Sequence, residues 1–215
     1  MRQLTDRERR RKRLKRRIQV VVIYTAIAIG LAWFFESQST TTMIFVRHAE
    51  KAAEPADDPG LTAAGRRRVA ELTRQLVDAD VVAGVDAIYS TRTRRTKETV
   101  EPLANRLGLG IRYYETDPED NEELVDGMVS DNKGRIILVV GHSDTIPGLI
   151  ADVGASKNVP PIADDEYDNL YVVVIPWFGK TKTIRLRYGE PYRPDESAID
   201  PSTAVSDRAE SGESP

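Results

Sequence analysis

Met43-Ile44-Phe45-Val46-Arg47-His48-Ala49-Glu50-Lys51 is the stretch from which the rest of the chain can be read. Four apolar residues with strand propensity end abruptly in an Arg-His pair. A buried strand that ends this way places polar side chains at the carboxyl edge of a sheet, where open α/β folds bind ligands. The chain has two histidines, and the second, His142, closes another apolar run, Ile136-Ile137-Leu138-Val139-Val140-Gly141. One such histidine alone reads as a hydrogen-bonded core residue. Two, each at a strand end and each in arginine-bearing company, read as one site.

Working outward, strands and helices alternate. After the 52–60 loop, Thr62 is placed to cap a helix whose Val69, Leu72 and Leu76 form an inward stripe, with Arg66, Arg67 and Arg68 as a solvated face. A strand at 86–90 runs into an arginine-rich loop at 92–96. The next helix carries Val100, Leu103, Ala104 and Leu107, should kink at Pro102, and ends at Gly108. Then come a strand at 111–114 and a helix begun by Asp117-Pro118, with Leu124, Val125, Met128 and Val129 inward. The strand at 135–141 has the continuous apolar character of a parallel, doubly covered strand. A short helix at 146–153 and strands at 170–175 and 183–188, joined around Gly179, complete the pattern. The expected fold is a three-layer α/β/α sandwich with a mostly parallel, mixed sheet and a C-terminal antiparallel hairpin.

The flanks differ from this domain, which spans 43–189. The formal charge of −3 conceals an asymmetry: residues 1–17 hold ten Lys/Arg against Asp6 and Glu8, a net of +8 that leaves −11 for the remainder. A nucleic-acid arm would fit that basic block, but the adjoining segment points to a membrane. Residues 18–35 contain no charge, and as a helix they extend about 27 Å, close to the ~30 Å hydrocarbon core. Trp33, Phe34 and Phe35 stand at the far end, where interfacial rings are favoured. We read residues 1–17 as a cytoplasmic basic segment, 18–35 as an uncleaved signal-anchor in the inner or plasma membrane, and 36–42 as a linker. Ser37-Gln38-Ser39 is a poor cleavage site for the rival reading, a removed signal peptide. Residues 190–215 turn to Pro, Asp, Ser and Glu and read as a disordered acidic tail. The domain at 43–189 would then be exoplasmic, with the bilayer as one partner and no nucleic acid. With no cysteine the chain contains no disulfide.

If the strand ends share one edge, Arg47-His48, the 92–96 arginines and His142-Ser143 converge. A neutral imidazole can attack phosphorus when its other nitrogen is held as N–H. Arginines can fork onto the phosphoryl oxygens and neutralise charge as it develops. Other chemistries lack parts: there is no HExxH, no Walker loop or GxGxxG, and Gly141-His142-Ser143-Asp144-Thr145 lacks the closing Gly of a nucleophile elbow. No cofactor and no metal are expected.

Four segments in order, Arg47-His48-Ala49-Glu50, Leu61-Thr62-Ala63-Ala64-Gly65, Arg95-Thr96-Lys97-Glu98-Thr99 and Val140-Gly141-His142-Ser143, resemble the motifs of the histidine phosphatase superfamily in its phosphoglycerate-mutase-like branch. Asp165-Glu166-Tyr167-Asp168-Asn169-Leu170 is similar to a segment that small bacterial members with an RHAEK start carry before the closing hairpin. The resemblance implies His48 as the nucleophile that becomes phosphohistidine, Arg47 and Arg95 as the phosphate clamp, and His142 as a second phosphate ligand. Ser143 and Thr62 are further substrate contacts it suggests. It departs from many members in lacking an obvious general-acid glutamate. Of Glu115, Asp117, Glu50 and Asp144, Glu115 is preferred because it follows a strand end near the expected cleft. Arg92 and Arg94 read as surface or rim residues. The implied activity is metal-independent hydrolysis of a small phosphomonoester. Protein phosphohistidine hydrolysis, a mutase activity, or phosphate binding without turnover are the alternatives.

The charge asymmetry yields a topological prediction. A single cysteine introduced within 190–215 should react with a membrane-impermeant maleimide in intact cells or spheroplasts; labelling only after lysis would refute the exoplasmic assignment.

Overall fold

The central strands are continuously apolar and successive side chains point to opposite faces, so each strand feeds two cores at once. In the structure, a computed structural model that describes residues 6–36, 40–78, 84–117 and 120–193, the elements run α1 (Asp6–Glu36), β1 (Thr41–Arg47), α2 (Ala63–Asp78), β2 (Ala87–Ser90), α3 (Arg94–Leu107), β3 (Ile111–Tyr113), α4 (Asn121–Asp131), β4 (Ile136–Gly141), α5 (Ile146–Asp152), β5 (Asn169–Ile175) and β6 (Lys182–Arg187). The six-stranded sheet has the order β3-β2-β4-β1-β5-β6. Strands β1 to β4 pair in parallel, while β5 and β6 run antiparallel.

Met43, Phe45, Ile137, Val139, Tyr171 and Val173 meet α4 and α5 on one face through Val125, Met128, Ile146, Leu149 and Ile150. Ile44, Val46, Leu138, Val140 and Leu170 meet α2 and α3 on the other through Leu72, Leu76, Val100 and Leu103. The result is the expected three-layer α/β/α sandwich. At roughly 1.5–3 kcal/mol for each large side chain fully buried, this double use of β1 and β4 is the main source of cohesion.

Local chemistry explains the helix ends. The Gly65 N–H donates to the Thr62 hydroxyl at 3.0 Å, which makes Thr62 the cap of α2. Gly108, at φ 66°, ends α3 in the left-handed conformation that glycine adopts without a Cβ penalty. α3 runs continuously through Pro102.

Several sequence-based expectations need correction. β1 begins at Thr41 rather than 43, because the Thr41 side chain is buried and accepts the Gly134 N–H, so the sheet takes two residues from the expected linker. The third domain helix, α4, begins at Asn121 rather than at Asp117-Pro118; the Asp120 N–H donates to the Asp117 carbonyl at 2.9 Å. Pro118 lies outside the described residues. Arg68 does not belong to a solvated face. It is 8% exposed and donates to the Glu50 carboxylate at 2.8 Å and to the Tyr188 and Glu190 carbonyls at 2.8 and 3.0 Å. It thereby ties the loop after β1 to the chain after β6.

α1 combines the expected apolar span with much of the basic segment in one helix. It is the one helix among the described residues long and apolar enough to cross a membrane, over Arg10–Phe34, and none of that span is buried. Residues 1–5, 37–39 and 194–215, and with them most of the expected tail, lie outside the described residues.

Gly65 supplies the sharpest packing constraint. A Cβ there would stand 2.5 Å from the Glu50 carbonyl oxygen, a backbone atom that cannot move aside without displacing the loop after His48. Gly65→Ala should therefore lower stability by on the order of 2–3 kcal/mol, the scale of core overpacking, and depress any activity of the adjoining site. A urea melt with an unchanged midpoint would show that the loop yields freely.

Candidate active site

Strand register assembles the site. Arg47 pairs with Gly141 across β1 and β4, so His48 and His142 leave adjacent strands at the same edge. Ser90 pairs with Val140, which brings Thr91 and the start of α3 to the same place. The His48 and His142 rings lie 5.3 Å apart, centroid to centroid, at 63°.

His48 is 3% exposed. Its Nδ1 sits 2.8 Å from the Ala49 carbonyl, which can only accept, so Nδ1 carries the proton and Nε2 keeps its lone pair. Burial, opposed in part by that hydrogen bond and assisted by Arg47, His142 and Arg95, pushes the His48 pKa down to about 3. His142 is pushed down to about 4, first by burial and then by Arg95. Its Nδ1 lies 3.4 Å from an Arg95 Nη, a group that can only donate. In the neutral ring Nε2–H therefore donates to the Thr91 hydroxyl at 3.0 Å. Both imidazoles are neutral at pH 7.

Arg47 is 4% exposed and its hydrogen bonds go to backbone carbonyls, Ala163 at 2.6 Å and Glu166 at 3.0 Å. Its guanidinium lies 4.2 Å from the centre of the Tyr167 ring. The Nε atoms of Arg47 and Arg95 are both buried without a partner. Buried guanidinium N–H groups of this kind suit an anion. Of the expected site residues, His48, Arg47, Arg95 and His142 come together, with Ser143 half-buried beside His142.

Others serve differently. The Thr62 hydroxyl is committed to its helix cap and, at 3.3 Å, to the Glu50 carbonyl. Glu50 pairs with Arg68. Glu115 lines the same cleft as His142, Thr91 and Tyr114 but is 84% exposed and stands 3.6 Å from Arg92. Arg92 also lies over Tyr113, whereas Arg94 pairs with Glu98 on α3. Asp144 is exposed at the turn before α5, and Asp117 is exposed after β3.

Some contributors escaped the sequence reading. The Thr99 hydroxyl accepts the Ala49 N–H at 3.0 Å and donates to the Arg95 carbonyl at 2.7 Å, locking the loop of the first histidine to the helix that carries the second arginine. Thr96 fixes Thr91, the partner of His142. Tyr167 covers Arg47, and its loop is stiffened by Glu166, which accepts the Ala163 N–H, and by Arg187, which bridges Glu166 and Asp168. The spacing of Thr96 and Thr99 after Arg95 was a usable signal. For Tyr167, neither periodicity nor composition marked the contact.

The fold and site define an α/β domain with two neutral histidines and two arginines at the carboxyl edge of the parallel strands of its sheet. A sequence profile of the histidine phosphatase superfamily (branch 1) matches residues 43–119, the stretch that carries Arg47, His48 and Arg95. No match was found among curated protein sequences. Among solved structures, a protein histidine phosphatase SixA complexed with tungstate is similar at TM-score 0.54 and 16% identity, covering 68% of this chain and 96% of that one. A candidate phosphohistidine phosphatase SixA from Nakamurella multipartitia aligns at TM-score 0.50 and 19% identity, over 72% of this chain and 98% of that one. A mycobacterial glucosyl-3-phosphoglycerate phosphatase aligns at TM-score 0.50 and 15% identity, over 63% and 90%. At these identities the likeness is one of fold.

Depressed imidazole pKa values have a definite sign. The unfolded chain takes up both protons near pH 6.5, whereas the folded chain does so only near 3 and 4. Stability is therefore undiminished above about pH 6.5 and falls as pH drops below it, by on the order of 1 kcal/mol per pH unit for each imidazole. With two histidines in the chain, ¹⁵N NMR can follow each ring. Neither should titrate between pH 5 and 8 in the free protein, and His48 should show the Nδ1–H tautomer; a midpoint near 6.5 for either ring would contradict the buried geometry.

Proposed function

We propose that this protein is a membrane-anchored phosphatase that hydrolyses phosphomonoesters through a phosphohistidine on His48. The observation that carries the reading is the free Nε2 of a neutral, buried His48 facing a second histidine and two arginines with unpaired N–H groups. Nε2 attacks phosphorus, the N–P bond forms as the P–O bond to the leaving group breaks, and the departing oxygen takes a proton from an acid or from water. Water then attacks phosphorus, releasing inorganic phosphate and restoring His48. Arg47, held by two carbonyls and a ring face, and Arg95, held through Thr99, neutralise charge on the phosphoryl oxygens without having to reorganise. An arriving dianion favours a second proton on His142, which then donates to a phosphoryl oxygen. These cations take the part that a metal ion plays in other phosphoryl transfers.

The second reading, a protein phosphohistidine phosphatase, is favoured by one feature. The carboxylates around the cleft, Asp57, Asp58, Glu115, Asp144, Asp164 and Asp165, are all exposed. An exposed carboxylate is poorly raised toward the pKa a general acid needs. An imidazole leaving group can be protonated by solvent, so a P–N substrate needs no protein acid. The similarity to solved SixA-type structures is compatible with this, and location separates the two readings.

Quenching turnover of a radioactive phosphoryl donor in alkali should trap a label that is acid-labile and alkali-stable, as P–N bonds are. His48→Ala should abolish both label and rate. Arg47→Ala or Arg95→Ala should lower the rate by on the order of 10²–10³, while chelators should leave it unchanged. Glu115→Gln should slow alkyl phosphates far more than an aryl phosphate if Glu115 is the acid. Full activity in His48→Ala, or loss on chelation that a divalent metal restores, would overturn the mechanism.

A further inference from the structure

The turn between β5 and β6 takes no part in the site, yet it exposes two large aromatic side chains in succession. Trp177 is 57% and Phe178 86% exposed. Neither is required by the hairpin, whose Gly179, at φ 112°, already supplies the unusual backbone. Their position suggests what they are for. The Trp177 ring meets Phe34, near the end of α1, at 6.0 Å and 79°, and Phe178 lies 6.4 Å from Trp177. Thr41, the first residue of β1, pairs with Ile175, the last of β5. The tip therefore projects from the edge of the sheet that α1 feeds, beside the aromatic end of the one apolar span. Lys180 and Lys182, both exposed, come immediately after it.

We propose that this tip, Pro176-Trp177-Phe178-Gly179-Lys180, is a second membrane contact that lies in the headgroup layer where α1 leaves the bilayer. The inference rests on reading α1 as a bilayer-spanning helix. Tryptophan is favoured at that depth because its ring body is apolar and its N–H stays wet, and lysines reach anionic headgroups from the same level. Continuity with Phe34 favours lipid over a second copy of the chain or a protein partner. Two points of attachment, helix and hairpin, fix the orientation of the domain as one flexible tether would not.

That orientation bears on the substrate. The tip continues the edge at Thr41, and Arg47 stands six strand steps away, about 20 Å at ~3.3 Å per residue. His48 and His142 then open away from the bilayer surface. The substrate class this selects is a water-soluble phosphomonoester or a phosphorylated protein, rather than a lipid headgroup of the same leaflet.

The two tryptophans, Trp33 and Trp177, make the test direct. The full chain is reconstituted in vesicles of phosphatidylcholine and phosphatidylglycerol containing brominated lipid. Trp33→Phe leaves Trp177 as the reporter, and Trp177→Phe leaves Trp33. Trp177 should emit at shorter wavelength than in detergent-free unfolded protein, should lose most of its fluorescence to lipid brominated near the headgroup, and should be protected from aqueous iodide. Aryl phosphate turnover by both variants should match that of the parent, which confirms the fold. Quenching of Trp33 by bromolipid while Trp177 remains open to iodide would overturn the hairpin contact and leave the anchor standing. Shielding of Trp177 from both quenchers would assign the tip to a protein contact and overturn it equally. If Trp33 is not quenched, the anchor reading itself falls, and the hairpin proposal with it.

Discussion

Arg47 is a guanidinium buried at the end of β1 whose hydrogen bonds run to backbone carbonyls instead of a carboxylate. Burying a cation costs several kcal/mol unless it is satisfied, and a carboxylate partner would satisfy it most directly. Such a partner would also cancel the charge. The carbonyls of Ala163 and Glu166 and the face of Tyr167 hold the group in place while leaving its positive charge uncompensated at close range. Much of the C-terminal half is built to make this possible. Arg187 clamps Glu166 and Asp168, Glu166 closes on the Ala163 N–H, and the loop that results offers its carbonyls to Arg47.

Burial, assisted by the same cationic setting, accounts for the state of the histidines. Withdrawn from water and set beside guanidinium groups, the His48 imidazole is neutral at pH 7. The sheet edge thus combines concentrated positive charge with a free lone pair. The unpartnered Nε groups of Arg47 and Arg95 are unfavourable as they stand, and an anion between them would satisfy them.

Around this centre the chain is braced by hydroxyls and one glycine. Thr99 joins the loop after β1 to α3, Thr96 holds the threonine that meets His142, and the closeness of Gly65 to Glu50 lets α2 press against the same loop. Arg68, reaching from α2 to Glu50 and to the chain beyond β6, closes the domain on the opposite side. Distant parts of the sequence thereby converge on the few residues just after Val46.

The sheet was legible in the chain, and so was the meeting of Arg47, His48, Arg95 and His142 at one of its edges. Continuous apolar runs ending in Arg47-His48 and in His142 can be satisfied only by buried strands with polar ends, and helix periodicity between them leaves few topologies. Short-range signals such as the Thr62 cap and the Gly108 terminus were equally legible, because their causes lie within a few residues. Relations between residues far apart in the chain were set by the folded arrangement alone. Arg68 looked like a surface residue because its partners stand 18 and about 120 positions away. Tyr167 gave no periodic sign because it belongs to a loop, where position is set by what the loop touches. The start of α4 differs because the Asp120 N–H bonds the Asp117 carbonyl ahead of the helix, a choice that propensity alone does not decide. The exposure of Glu115 likewise depends on how the rim of the cleft is folded, and not on its place after a strand.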